Sequence, residues 1–277
     1  KVDSFTVEAL DGTAKQIDFS IHGADDAPLA IDSQVVVGDS WGATAIVQLT
    51  AAGIGPLTYA ITTPLAGVSF GPMSFFDPVA GTAQVPLGHS LAGTTDFFQF
   101  TVSNAFGTSA PGTVSFSRLA GYQPLSLTAG DGNDIFFMPN GKATLHSGGG
   151  DDLIYLGFVG VPTEGYVIDA GAGNDTILAG WGGSDTLRGG AGADDVNVGT
   201  SNKTLILAPG ETSGDIIREF DGAGAAVGDM LQLQGYGPGA TLDQLGSNWT
   251  IHYAGEAESF TFVGLIAFDP TTDVIWV

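Results

Sequence analysis

Asp134, Asp152, Asp175, Asp185 and Asp194 each stand at the same place in a glycine-rich phrase. The copies are Ala129-Gly-Asp-Gly-Asn-Asp134-Ile-Phe136-Phe, Ser147-Gly-Gly-Gly-Asp-Asp152-Leu-Ile154-Tyr and Ala170-Gly-Ala-Gly-Asn-Asp175-Thr-Ile177-Leu. Gly180-Trp-Gly-Gly-Ser-Asp185-Thr-Leu187-Arg and Gly189-Gly-Ala-Gly-Ala-Asp194-Asp-Val196-Asn complete the set. The template is Gly-Gly-x-Gly-x-Asp-x-U-x, with U a large apolar residue. Glycines let a turn enter φ > 0 and gather its carbonyls. An aspartate at position six adds a carboxylate. Clustered carbonyls and carboxylates form a hard-oxygen site, which suits Ca²⁺. The element that must position them is a parallel β-roll: a six-residue turn, then a three-residue strand with its U side chain in the core.

Asp134 and Asp152 are 18 residues apart, two beats. The beat between them, Met138-Pro-Asn-Gly141-Lys-Ala143-Thr-Leu145-His, has Ala143 where aspartate belongs. Asp152 to Asp175 is 23 residues, which fits one lengthened turn (156–169) with Val167 or Ile168 as its core residue. A last beat, Val198 to Ile206, carries Lys203 at position six and Leu205 at U. Successive turns of a flattened roll alternate between two edges. Counting beats puts Asp134, Asp152, Asp175 and Asp194 on one edge. Ala143, the long turn with Glu164, Asp185 and Lys203 fall on the other. The expectation is a one-sided ladder of about three Ca²⁺ ions between four stacked turns, with a poorly liganded opposite edge.

These copies resemble the RTX (repeats-in-toxin) nonapeptide family. The resemblance implies that an earlier turn offers carbonyls at positions two and four, a later turn those at one and three, and both their aspartate. Carried over, one site takes Gly130, Gly132 and Asp134 with Ser147, Gly149 and Asp152. The next takes Gly148, Gly150 and Asp152 with Ala170, Ala172 and Asp175. The third takes Gly171, Gly173 and Asp175 with Gly189, Ala191 and Asp194. Trp181 at a glycine position, Ala143 and Lys203 depart from the pattern. Asp185 remains a candidate ligand on the second edge. Ions caged by protein oxygens in this way hold a fold together and do no chemistry.

Catalytic signals elsewhere are thin. Gly38-Asp39-Ser40-Trp41-Gly42 spells a nucleophile elbow, but its flanks read as strands and not as strand-to-helix, so a plain turn is the reading. His22, His89, His146 and His252 are scattered, and no His-Glu-x-x-His occurs. No glycine-rich stretch precedes a helix to cradle phosphate. The chain is read as a non-enzyme.

The 277 residues suffice for two or three small domains. Acids outnumber bases 30 to 7, which leaves no basic stripe for nucleic acid. Ser126 to Val277 holds 20 acids against Lys142, Arg188, Lys203 and Arg218, a local balance of −16. Without metal such a segment repels itself. The absence of cysteine excludes a disulfide-stapled scaffold. No targeting segment or apolar run long enough for a membrane span is present. The chain begins with Lys1 and reads as part of a longer polypeptide.

The expected fold is all-β: an Ig-like or cadherin-like β-sandwich, then the parallel β-roll, then a C-terminal β cap. Residues 1–28 read as two strands and a link, Phe5-Thr-Val7 and Gln16 to Ile21, ending in Gly23-Ala-Asp25-Asp26-Ala-Pro28. They resemble the tail of a VCBS or cadherin-like bacterial repeat, whose linker acids can hold calcium between domains; Asp25 and Asp26 are therefore candidates, against the equal reading of a solvated turn before Pro28. Residues 29–119 show short strands at regular spacing: Gln34 to Val37, Ala45 to Leu49, Leu57 to Ile61, Val68 to Phe70, Phe97 to Val102 and Thr113 to Phe116. The run from Phe97 to Gly107 resembles the end of bacterial Ig-like domains. Pro78 and Pro86 place the segment between them at an edge or in a loop. Trp41, Phe75, Phe76 and Phe106 are candidates for an aromatic sugar platform, against the commoner reading as core.

The roll is expected over 120–206 and its cap over 207–277. Asp215-Ile-Ile-Arg-Glu-Phe220 and Asp229-Met-Leu-Gln-Leu233 resemble the segment after the repeats in RTX proteins, read here as a plug. A hairpin is expected between Trp249 to Tyr253 and Glu258 to Val263. Asp273-Val-Ile-Trp-Val277 resembles the uncleaved signal read by type I secretion systems. The resemblances imply a protein exported by that machinery to the surface of a Gram-negative bacterium, where calcium folds it. The favoured role is structural: part of an adhesin, S-layer or matrix fibre, with self-association or a surface glycan as partner. The alternative is the delivery tail of a secreted hydrolase whose catalytic domain precedes Lys1.

Overall fold

The computed structural model describes residues 26–38, 44–66, 70–88, 93–119, 125–157, 165–222, 228–265 and 268–277, and the backbone of strands Val2–Glu8 and Ala14–Ser20. Every regular element among them is a β-strand, so the all-β expectation is borne out. Val2–Glu8 and Ala14–Ser20 form an antiparallel pair.

Two sheets enclose the core of the first half. One runs through Thr95–Asn104, Gly112–Arg118 and Ser33–Val37, with Thr58–Thr63 added on Thr95–Asn104. The other joins Thr44–Gln48, Thr82–Pro86 and Phe75–Asp77. Alternation supplies the core: Phe98, Phe100 and Val102 point in from one strand, Val114 and Phe116 from the next, and Ala83 and Val85 from the facing sheet. Thr82–Pro86 is the central strand of its sheet. The expectation of an edge or loop between Pro78 and Pro86 holds for the turn at 78–81 and is corrected for Thr82–Pro86. Pro86 sits at the strand's last position, opposite Thr44, where a missing N–H costs little.

The second half is a flattened parallel roll. Ile135–Phe137, Leu153–Tyr155, Thr176–Leu178, Asp195–Asn197 and Ile216–Arg218 stack on one face. Leu125–Thr128, Ala143–His146, Val167–Ala172, Thr186–Ala191, Thr204–Leu207 and Met230–Leu233 stack on the other. The U residues Phe136, Leu145, Ile154, Ile168, Ile177, Leu187, Val196 and Leu205 fill the space between. In the lengthened turn Ile168 is the core residue, while Val167 is exposed.

The parallel ladder continues past residue 206. Ile216–Arg218 and Met230–Leu233 are full rungs, and Glu256–Val263 and Val274–Trp276 add parallel to them. The expected plug is thus two further turns of the roll. Its end is closed by the antiparallel strands Thr241–Leu245, Asn248–Tyr253 and Glu256–Val263, with Phe220, Trp249, Phe262 and Phe268 clustered there.

The two halves share one sheet, because Ser33–Val37 pairs in parallel with both Gly112–Arg118 and Ile135–Phe137. Its residues serve two cores by alternation: Val36 faces the roll, while Val35 and Val37 face the sandwich. Phe136 likewise enters the roll, with Ile135 and Phe137 in the sandwich. A one-residue slip would exchange these faces.

Candidate metal centre

The nine-residue beat brings Asp134, Asp152, Asp175 and Asp194 to one edge of the roll, each in the turn before a strand of the long sheet. All four are buried. One carboxylate oxygen of each is fixed by the N–H of the turn before it. Asp134 N–H donates to Asp152 Oδ1 at 2.8 Å, Asp152 N–H to Asp175 Oδ1 at 2.8 Å, and Asp175 N–H to Asp194 Oδ1 at 2.9 Å. The column extends at both ends. Gln34 N–H donates to Asp134 Oδ1 at 2.5 Å, and Asp194 N–H to Asp215 Oδ1 at 3.0 Å. The sandwich strand therefore stands in for an earlier turn, with Gln34 at position six and Val36 at U.

The second oxygens are another matter. Oδ2 of Asp134, Asp152, Asp175 and Asp194 is buried without a hydrogen-bond partner. A buried, unpaired carboxylate oxygen is costly. Burial pushes the carboxyls of Asp134, Asp152 and Asp175 up to about 7, and that of Asp194 to about 6, against backbone N–H donors that pull them down. Neighbouring carboxylates add to the rise at Asp152 and Asp175.

Two columns of glycine run beside the aspartates. Gly171 has φ +103°, and a Cβ there would overlap Gly148 O; Gly192 has φ +145°, and a Cβ there would overlap Gly173 O. From Ser147 onward, positions two and four on this edge must therefore be glycine for the turns to stack, with their carbonyls facing the next turn. Some of the expected ligand carbonyls also take backbone N–H donors. Gly149 N–H donates to Gly130 O, Ala172 N–H to Gly148 O, Gly150 N–H to Ala172 O and Gly173 N–H to Ala191 O. A carbonyl has two lone pairs, so each keeps one for a cation. Ser147 hydroxyl donates to Ala170 O at 2.8 Å. Gly132, Gly150 and Gly189 line the same turns, and a Cβ on Gly189 would overlap Asp194 Oδ2. Among the described residues no three acidic, His or Cys side chains converge on a point. An ion here would draw on two carboxylates and several main-chain carbonyls, a donor set that fits calcium.

Asp185 lies on the opposite edge, in a different setting. Its Oδ1 accepts Tyr166 N–H at 2.9 Å, and its Oδ2 lies 3.1 Å from Lys203 Nζ. Lys203 Nζ also donates to Gly182 O at 2.7 Å and Gly183 O at 3.2 Å. The oxygen of Asp185 that a metal would need is thus paired with a buried ammonium. Asp25 and Glu164 lie outside the described residues. Asp26 is exposed, and its carbonyl accepts from Asn104 Nδ2.

Two features escaped sequence reasoning. Asp215 belongs to the aspartate column, and burial raises its carboxyl to about 7. The signal was present in Asp215-Ile-Ile217, an aspartate followed two residues on by a core residue. Position five carries a second column on the exposed side. Asn133 N–H donates to Thr50 Oγ1, Asp151 N–H to Asn133 Oδ1, Asn174 N–H to Asp151 Oδ1 and Ala193 N–H to Asn174 Oδ1. The Asn or Asp before Asp134, Asp152 and Asp175 was its trace.

Ser40 and Trp41 lie outside the described residues, as do His22 and His89. Phe76 packs against the sandwich core, while Phe75 and Phe106 are exposed. His146 and His252 lie against Asp169 and Asp243 at the surface. Among the described residues no helix is long and apolar enough to cross a membrane.

The model of the RTX calcium-binding nonapeptide repeat matches residues 140–158, 167–184 and 182–202. The chain therefore carries calcium-binding repeats of this type. No curated protein matches the chain. Among solved structures, a putative α-galactosidase/melibiase from Bacteroides fragilis is similar at 15% identity, over 38% of this chain and 21% of that one, with a TM-score of 0.26. The human desmocollin-1 ectodomain is similar at 14% identity, over 44% and 28%, with a TM-score of 0.25. The titin M3 domain is similar at 12% identity, over 34% and 97%, with a TM-score of 0.20. The chain spans 21% to 26% of the first four solved chains it matches. Scores of this size carry no functional weight.

Proposed function

We propose that this chain is a calcium-stabilised extracellular structural protein, part of a larger surface protein, whose roll folds when exported into a calcium-rich medium. The observation that carries the reading is the row of four buried, unpartnered Oδ2 atoms on one edge. Asp134, Asp152, Asp175 and Asp194 would hold the ions together with the carbonyls of turn positions one to four, and Asp215 extends the column. Bound calcium supplies positive charge where the chain has gathered carboxylates. Without it the segment from Ser126, with its balance of −16, opposes its own collapse. Cytosolic calcium is too scarce to fill weak sites. The chain stays loose for a secretion channel and then folds by mass action outside.

The shared sheet favours a structural role over a delivery role. It ties the sandwich to the roll through parallel strand pairing on both sides of Ser33–Val37. Folding of the roll therefore fixes the position of the sandwich as well, which suits a load-bearing spacer. Type I secretion machinery is the proposed export partner, and a second copy or a surface glycan the proposed target.

The test is sedimentation of chelator-treated protein as Ca²⁺ rises from micromolar to millimolar. Compaction followed by fibres or sheets supports the structural reading. Compaction to a monomer moves the role to a folding and delivery module. A compact, fully folded roll in chelator overturns the calcium reading.

A further inference from the structure

We propose that the Asp185 edge is a second cation site whose cation is built into the chain: the Lys203 ammonium does there what a divalent ion does on the Asp175 edge. The contrast rests on the calcium reading above, but the geometry of the Asp185 edge stands by itself.

Lys203 occupies position six of its turn. Its N–H donates to Asp229 Oδ1 at 2.8 Å, the bond that Asp152 N–H makes to Asp175 Oδ1 on the other edge. This bond from a position-six N–H to the carboxylate of the next turn is common to both edges, and the side chain at position six differs. Where an aspartate would add an acceptor, Lys203 adds three donors. Its ammonium reaches the preceding turn on the same edge and meets two turn carbonyls, Gly182 O and Gly183 O, and the carboxylate of Asp185. Two carbonyls and a position-six carboxylate are the kind of oxygens that a calcium site in this fold uses.

The bookkeeping of oxygens separates the edges. On the Asp175 edge four carboxylate oxygens are orphaned. Among the described residues neither Asp185 nor Asp229 has an orphaned oxygen. Lys203 Nζ takes Asp185 Oδ2, and Asp221 N–H takes Asp229 Oδ2 at 2.8 Å. Lys203 is 1% exposed. A lysine buried to that degree needs a reason, and its ring of acceptors supplies one. The pairing spans 18 residues, two beats, so it can form only once both turns are stacked. The consequence is a roll whose two edges answer to different conditions. One edge depends on dissolved calcium. The other carries its own charge and needs none.

The test is a direct count of bound Ca²⁺ by equilibrium dialysis on the full chain, for wild type, Asp175→Asn, Asp185→Asn and Lys203→Asp. The expected result is a lower count for Asp175→Asn, an unchanged count for Asp185→Asn, and one further ion for Lys203→Asp. A lower count for Asp185→Asn overturns the proposal, as does an unchanged count for a folded Lys203→Asp. Should Lys203→Asp fail to fold, urea unfolding of Asp185→Asn, Lys203→Met and their double variant decides. Each single change should raise the unfolding constant about a hundredfold, because it leaves a buried charge unpaired. The double variant should recover at least about tenfold of the summed loss. Strictly additive effects overturn the proposal. A wild-type chain that binds no calcium sinks the proposed function but leaves this double-variant cycle intact.

Discussion

Asp175→Asn should have opposite effects with and without calcium. Asp175 stands between two neighbours in the column, bonded to Asp152 N–H through Oδ1 and donating its own N–H to Asp194. Asparagine keeps the Oδ1 acceptor. It replaces the orphaned Oδ2 by an amide that donates to the surrounding carbonyls. In chelator at pH 8 the wild-type carboxyl, raised by burial from 3.8 to about 7, must ionise against that burial. A shift of about three units corresponds to at most about 4 kcal/mol. Relaxation and coupling to its neighbours leave about 2 kcal/mol as the expected gain for asparagine. In saturating calcium the sign reverses. Asp175 serves two of the proposed sites, and each ion at about a hundred times its Kd contributes about 2.7 kcal/mol. The net loss is then about 3 kcal/mol. The assay is urea unfolding followed by tryptophan fluorescence, in EDTA and in millimolar Ca²⁺, using Trp249, which is buried at the roll's end. An equal destabilisation in both media would refute the reasoning, since it would mean that Oδ2 is not a metal-facing oxygen.

Other outcomes follow from the same geometry. In chelator, stability should fall as pH rises from about 4 to 8. The raised carboxyls of Asp134, Asp152, Asp175 and Asp215 favour the folded state when neutral, and lose that advantage through their folded values near 7; unfolding midpoints at pH 5 and pH 8 check this, and a higher midpoint at pH 8 contradicts it. Calcium affinity should weaken below about pH 6 for the same reason, read by calorimetric titration. Gly171→Ala should destabilise the roll by about 2 to 4 kcal/mol, because φ +103° and the overlap with Gly148 O both exclude a Cβ, measured as a higher calcium midpoint for folding. Asn174→Ala should cost about 1 kcal/mol by removing the Oδ1 acceptor for Ala193 N–H, and hydrogen exchange at Ala193 should quicken.

The amino-acid sequence by itself determined the roll and its edges. A glycine at positions two and four, an aspartate at six and one apolar residue at eight admit a single way of stacking turns. Parity then assigns each aspartate to an edge before any coordinate is known, and Asp134, Asp152, Asp175 and Asp194 lie together as that count requires. These are local constraints, repeated every nine residues, so a linear reading finds them. Tertiary structure decided what depends on partners far apart in the chain. Lys203 looked like a defect in the repeat until its ammonium met Asp185 and two carbonyls of the preceding turn. Asp215 looked like part of a plug until its Oδ1 accepted Asp194 N–H. Ser33–Val37 reads only as a sandwich strand, because Val35, Val36 and Val37 are all apolar and show no alternation. Their division between two cores follows from Ile135–Phe137 pairing beside them, about a hundred residues away. Apolar type is written in the sequence, but which core receives each residue is set by the sheet that surrounds it.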